Sequence, residues 1–108
     1  MTAEGLGELK AHAHHMATRL KLMGNPDRLI MLCRMEEGEV SVGELVDLTG
    51  LSQSSVSQHL AMLRQEGVVG IRNKAQTRFY RLTDKVVSAT IRTLCNLCGE
   101  TGEQPCGG

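Results

Sequence analysis

Aromatic side chains are nearly missing from this chain: one Tyr, one Phe and no Trp among 108 residues. Proteins that hold single-stranded nucleic acid stack its bases on such rings, so RNA and single strands are disfavoured as partners. An excess of one charge is missing too, with 12 Lys and Arg against 12 Asp and Glu. The chain as a whole is therefore no polycation. No run of about 18 apolar residues occurs, which argues against a membrane-spanning helix. The opening MTAEGLGELK has no apolar stretch behind a basic end and does not read as a secretory signal, so a cytoplasmic location is expected. Also absent are a nucleophile–base constellation, a phosphate loop and paired carboxylates at catalytic spacing. The sequence does not describe an enzyme, and no cofactor is expected.

What is present is unevenly distributed. From Arg64 to Arg92 there are seven basic residues and two acidic ones, a net of +5, whereas Asp27 to Asp47 carries two basic and six acidic, a net of −4. Attraction for phosphates depends on the contact surface and not on total charge, so a local basic face is enough for nucleic acid. A solvated charged face with no ligand would look the same. One domain is expected at this length. A chain this short buries a limited fraction of its surface alone, so a second copy would help to complete the core.

Residues 4 to 23 read as a helix with Leu9, Met16, Leu20 and Met23 on one face. Asn25-Pro26-Asp27 then supplies a cap, a first-turn proline and an acidic residue for a second helix, dense in apolar residues, to about Met35. Ser41 and Glu44 form a capping box that opens a short third helix, and Gly50 allows a turn. Ser52 caps a fourth helix with Val56, Leu60 and Leu63 as its buried stripe, and Gly67 ends it. Val68 to Lys74 and Thr77 to Leu82 are β-rich around a turn at Ala75 and Gln76. Asp84 to Cys98 reads as a last helix whose stripe of Val87, Ile91, Leu94 and Cys98 suits a dimer surface. Residues 99–108 are Gly-rich and expected to be a flexible tail to the 1–98 domain.

Two short helices, a tight turn and a cationic hairpin make a winged helix-turn-helix. The expected architecture is mainly α with a small β-hairpin, in the order α-α-α-α-β-β-α. It is expected to form a homodimer through its N- and C-terminal helices. Gln53, Ser54, Ser57 and Gln58 lie away from the buried stripe of the fourth helix, where they would meet base edges or phosphates in a major groove. His59 would either reach a phosphate or pack. Arg72, Lys74 and Arg78 on the hairpin would hold the DNA backbone or enter the minor groove. A winged-helix module that binds only protein would share this outline, and a steeply salt-dependent affinity separates the two.

With LSQSSVSQHLAMLRQEGVV and QTRFYRL, the chain resembles the ArsR/SmtB family of bacterial winged-helix repressors over roughly Leu20 to Cys98. The resemblance implies a homodimer that binds an inverted-repeat operator in double-stranded DNA and releases it when an inducer binds. Two metal sites known in that family are missing here. Val40-Ser41-Val42-Gly43-Glu44-Leu45 stands where a paired-cysteine motif would be. Asp84, Val86, Leu97 and Glu100 stand where the other site would have two imidazoles. Without those thiolates and imidazoles, neither site suits a soft or borderline divalent ion, and no metal is expected there.

The four cysteines are at 33, 95, 98 and 106. Cys33 resembles the second-helix cysteine of the thiol-based branch, which senses reactive sulfur species or oxidants through a disulfide or short polysulfide bridge to the last helix. The family's second cysteine aligns at Gly99, so the resemblance implies its neighbour Cys98 as the resolving thiol, with Cys95 left open as the alternative. Arg28 and Arg34 would stabilise a thiolate at Cys33, whereas the negative pole of the last helix opposes one at Cys98. A buried cysteine on an apolar helix is otherwise inert filler. The rival reading joins Cys95, Cys98 and Cys106 into a three-thiolate site for arsenite or another thiophilic ion. His12, His14 and His15 read as a solvated cluster, with metal ligation as the alternative.

Overall fold

In the computed structural model, residues 3–100 are described, with side chains from 5 to 98. Helix α1 spans Ala3–Met23, α2 Pro26–Glu37, α3 Val42–Thr49, α4 Gln53–Gln65 and α5 Lys85–Glu100. Strand β1 is Val40–Ser41, β2 Val69–Lys74 and β3 Thr77–Leu82. Among the described residues no helix is long and apolar enough to cross a membrane.

The local signals in the sequence act where they stand. Asn25 Oδ1 accepts from the Arg28 amide at 3.1 Å, Ser41 Oγ from the Glu44 amide at 3.2 Å and Ser52 Oγ from the Ser55 amide at 3.1 Å. Each satisfies a donor that the first helical turn leaves without a partner. Only half of the expected capping box forms, because the Glu44 carboxylate turns to Arg34 at 3.2 Å. Gly50 and Gly67 both sit at φ +74°, the left-handed conformation that ends α3 and α4 at little steric cost.

The core gathers Met31, Leu32 and Met35 of α2, Leu45 of α3, and Val56, Leu60 and Leu63 of α4. Val40, Val69 and Tyr80 come from the sheet, and Val87 and Ile91 from α5. Burial of each large apolar side chain contributes about 1.5–3 kcal/mol against the entropy of ordering the chain.

Four expectations change. A third strand exists: β1 pairs antiparallel with β3 (Val40 with Tyr80, Ser41 with Phe79), giving the order β1-β3-β2. Two residues are too few to show a strand period, and the pairing is non-local. The α5 stripe is also rotated. Val87 and Ile91 are fully buried against this chain's own core, with Cys95 packed behind them, whereas Val86, Leu94 and Leu97 are exposed. The apolar residues of α5 therefore divide between two adjacent faces. On α1, Met23 is buried while Leu6, Leu9, Met16 and Leu20 are exposed. Helix α5 continues through Gly99 and Glu100, the first two residues of the expected tail. Positions 101–108 lie outside the described residues.

Candidate nucleic-acid interface and thiol pair

Helix α4 buries Val56, Leu60 and Leu63, and the 3.6-residue period turns its polar side chains outward. Gln53, Ser54, Ser57 and Gln58 are all exposed, and His59 is half-buried at the edge of the stripe. Ser54 and Gln58, four residues apart, share the face opposite the core. Ser57 lies on the flank toward the hairpin. It lines a cleft of about 500 Å³ together with Ala61, Arg64, Gln65, Arg78 and Tyr80. The cleft joins α4 to β3 and carries two guanidinium groups.

The hairpin register divides the three basic residues assigned to the wing. Arg72 pairs with Phe79, Asn73 with Arg78 and Lys74 with Thr77. Side chains alternate between faces along a strand, so Arg78 shares the α4 side with Tyr80. Arg72 and Lys74 lie on the opposite face with Arg81. Arg78 therefore joins Ser57, and Arg72 does not. The Arg72 Nε donates to both oxygens of Glu39, at 3.0 and 2.8 Å, and its guanidinium lies 5.8 Å from the centre of the Phe79 ring. The Arg72 hydrogen bond holds the Glu39 carboxyl below the usual glutamate range, against the opposing effect of desolvation and with help from the charges of Arg72, Arg81 and Lys74.

From the sequence, Arg64 counts only as one charge of the basic stretch. Its spacing of seven from Ser57, two helical turns, is the signal that places both on one flank.

A second site lies between α2 and α5, which run antiparallel. Cys95 Sγ donates to Cys33 Sγ at 3.3 Å. Cys33 is 4% exposed and Cys95 is half-buried. Cys95, one of the two alternatives for the partner of Cys33, therefore brings its sulfur within hydrogen-bonding reach of it. It follows Val87 and Ile91 at steps of four on the α2-facing stripe, and Cys98, half-buried, comes about one turn later. One turn along α2, Glu36 accepts from Ser88 Oγ and from Arg92 Nε (3.1 Å), and Arg92 Nη2 reaches Ser88 Oγ at 3.3 Å. The arginines flanking Cys33 in sequence have other partners. Arg28 donates to the Leu22 carbonyl and to Met62 Sδ, and Arg34 to Glu44 and the Gly38 carbonyl.

Among the described residues, no group of three or more His, Cys, Asp or Glu is placed to hold a metal ion. Asp84, one of the positions compared with a family metal site, has structural work instead: it accepts from the Val87 amide and from Arg19. His12, His14 and His15 are exposed on α1, with the His14 and His15 rings edge-to-face at 6.0 Å. Cys106 lies outside the described residues, so the three-thiolate arrangement with Cys95 and Cys98 has no described geometry.

Residues 25–70 match the family described as bacterial regulatory protein, arsR family. The chain is 45% identical over 92 residues to the transcriptional activator HlyU of Vibrio cholerae, covering 85% of each. It is 42% identical over 93 residues to the transcriptional regulator YgaV of Escherichia coli, covering 85% of this chain and 94% of that one. The structure of the transcriptional repressor BigR from Xylella fastidiosa superimposes with a TM-score of 0.78 at 36% identity. That likeness covers 90% of this chain and 96% of the other.

Proposed function

Because the chain belongs to the arsR family of bacterial regulatory proteins and so is a DNA-binding transcriptional regulator, we propose that it is a cytoplasmic repressor whose grip on DNA is switched by a thiol pair. For the pair we favour Cys33 with Cys95, the alternative to Cys33 with Cys98 that the sequence left open. The observation that carries this reading is the 3.3 Å approach of the two sulfurs across the α2–α5 contact.

The reduced homodimer presents two α4 helices and two wings to an inverted repeat, since a two-fold protein matches a palindromic site. Its interface is built from the exposed leucines of α1 and α5. An oxidant that accepts two electrons and two protons from the thiols leaves a Cys33–Cys95 disulfide. An organic persulfide arrives at the same bond in two steps. It first hands its outer sulfur to Cys33 and departs as a thiol. Cys95 then attacks the Cys33 sulfur and expels hydrogen sulfide. If both cysteines are first persulfidated, loss of one hydrogen sulfide leaves a trisulfide instead.

A disulfide needs the sulfurs at about 2.05 Å, so the α2–α5 contact must repack around the new bond, and we propose that α5 shifts as it does. Helix α5 also carries the dimer leucines, so that shift changes the spacing of the two DNA-binding heads. A difference of a few kcal/mol between the states is enough to empty an operator.

The test treats reduced protein with an organic persulfide, and separately with arsenite, followed by non-reducing peptide mass mapping and DNA affinity. A bridged Cys33–Cys95 peptide with weakened DNA binding is expected. C33S and C95S should bind DNA and ignore the persulfide, while C98S should respond normally. A Cys33–Cys98 peptide would reassign the partner. Release by arsenite alone, with an adduct on Cys95, Cys98 and Cys106, would replace the switch with a metalloid sensor.

A further inference from the structure

Glu39 stands directly before β1, and the pairing of Val40 with Tyr80 carries it opposite Arg81 on the central strand. On the far strand, Gly70 pairs with Arg81 and Arg72 with Phe79. Glu39, Arg81, Phe79, Arg72 and Lys74 therefore occupy one face of the sheet, the face turned away from the core. Three cations and one carboxylate share it. The carboxylate reaches across the central strand to Arg72 Nε over the Phe79 ring. Arg81 and Lys74 add to the field that favours its ionised form.

A guanidinium N–H shared by two anionic oxygens is a charge-assisted contact, and a DNA phosphate offers the same guanidinium anionic oxygens of its own. We propose that Glu39 is a built-in competitor for backbone phosphate, holding Arg72 on the outer face of the wing and lowering the affinity for DNA. The contact is exposed, and ion pairs of this kind exchange at little cost, so a phosphate displaces the carboxylate when the wing docks. The consequence is a regulator with restrained attraction for DNA of any sequence, leaving discrimination to α4. This inference stands on the DNA-binding activity and is independent of the thiol switch.

The test uses the full chain, reduced, with a labelled mixed-sequence DNA duplex titrated over a range of salt concentrations. Glu39→Gln should bind about threefold or more tightly at low salt, an exposed-pair effect counted once per protomer. Its salt dependence should steepen by up to about one unit of slope per protomer. Arg72→Gln should weaken binding, and Glu39→Gln added to it should recover little. Circular dichroism melts confirm that the variants are folded. Unchanged or weaker binding by Glu39→Gln would overturn the proposal and make Glu39 a group that positions Arg72 for DNA. An equal gain with and without Arg72 would overturn it as well, since Glu39 would then act only through its charge.

Discussion

Arg19 on α1 donates through Nε to Asp84 Oδ2 at 2.8 Å, fixing the long first helix to the start of the last. Asp84 also caps α5, its other oxygen accepting from the Val87 amide at 2.9 Å. Burial alone would raise this carboxyl, but the Val87 amide and the Arg19 guanidinium outweigh it and hold the pKa below the ordinary aspartate value of 3.8. A depressed folded-state pKa stabilises above the unfolded value, and that stability is lost as pH falls through the folded value. Asp84→Ala should cost about 1–2 kcal/mol near neutral pH, the usual loss for a helix cap. In urea melts the gap between Asp84→Ala and the unaltered chain should narrow as pH drops below about 3.9. A gap that stays constant down to strongly acid pH would show that the cap and ion pair contribute nothing through charge.

Ala75, at the tip of the hairpin, has φ +54°. A side chain in that left-handed region costs roughly 1–2 kcal/mol, which glycine avoids. Glycine also loses more entropy on folding, which returns about 0.4–1 kcal/mol of the gain. Ala75→Gly should therefore stabilise the chain by about 0.5–1 kcal/mol. A thermal melt checks this: a rise of a few degrees is expected, and a fall would mean that the turn does not strain Ala75.

Helix and turn boundaries were legible because their causes are local: Asn25, Ser41 and Ser52 each cap the helix that follows, and Gly50 and Gly67 each end one. What escaped the sequence depends on which neighbour a residue meets. Cys95 and Cys98 both fit a helical stripe with Val87 and Ile91, and the contact of Cys95 with Cys33 depends on how α5 packs against α2. Arg72, Lys74 and Arg78 read as one basic wing, but the register sets them on two faces. Glu39 read only as one charge of the acidic stretch, because its partner is 33 residues away across the central strand.

The apolar residues left exposed on α1 and on α5 support a third prediction. Leu20 is 62% exposed and Leu97 52%, with Leu6, Leu9, Met16, Val86 and Leu94 also exposed on the same two helices. In a two-fold dimer each such residue is buried twice. At about 2 kcal/mol per leucine, placing a charge at one of these positions should weaken association about 1000-fold. Leu20→Glu and Leu97→Glu should run as monomers in light scattering while keeping their helical dichroism. DNA affinity should fall with them, because a monomer engages only half of a palindromic site. Dimers that survive both substitutions would move the interface elsewhere.

Gln58 and Arg78 should fail in different ways. Gln58 projects from the α4 face opposite the core, where its amide can pair with an adenine edge. A bidentate contact of that kind discriminates by about 1–3 kcal/mol. Arg78 lies beside Ser57 and Arg64 in the cleft between α4 and the wing, a setting for a phosphate. Gln58→Ala should lower affinity for the operator about tenfold or more while leaving binding to mixed-sequence duplex and its salt slope unchanged. Arg78→Gln should weaken both duplexes to the same degree and flatten the salt slope by about 0.9 for each phosphate no longer neutralised. Arg64→Gln should match Arg78→Gln, since the two guanidinium groups line one cleft. Measuring each variant on both duplexes at several salt concentrations separates the roles. If Arg78→Gln altered sequence preference instead, the cleft would be reading bases and not holding the backbone.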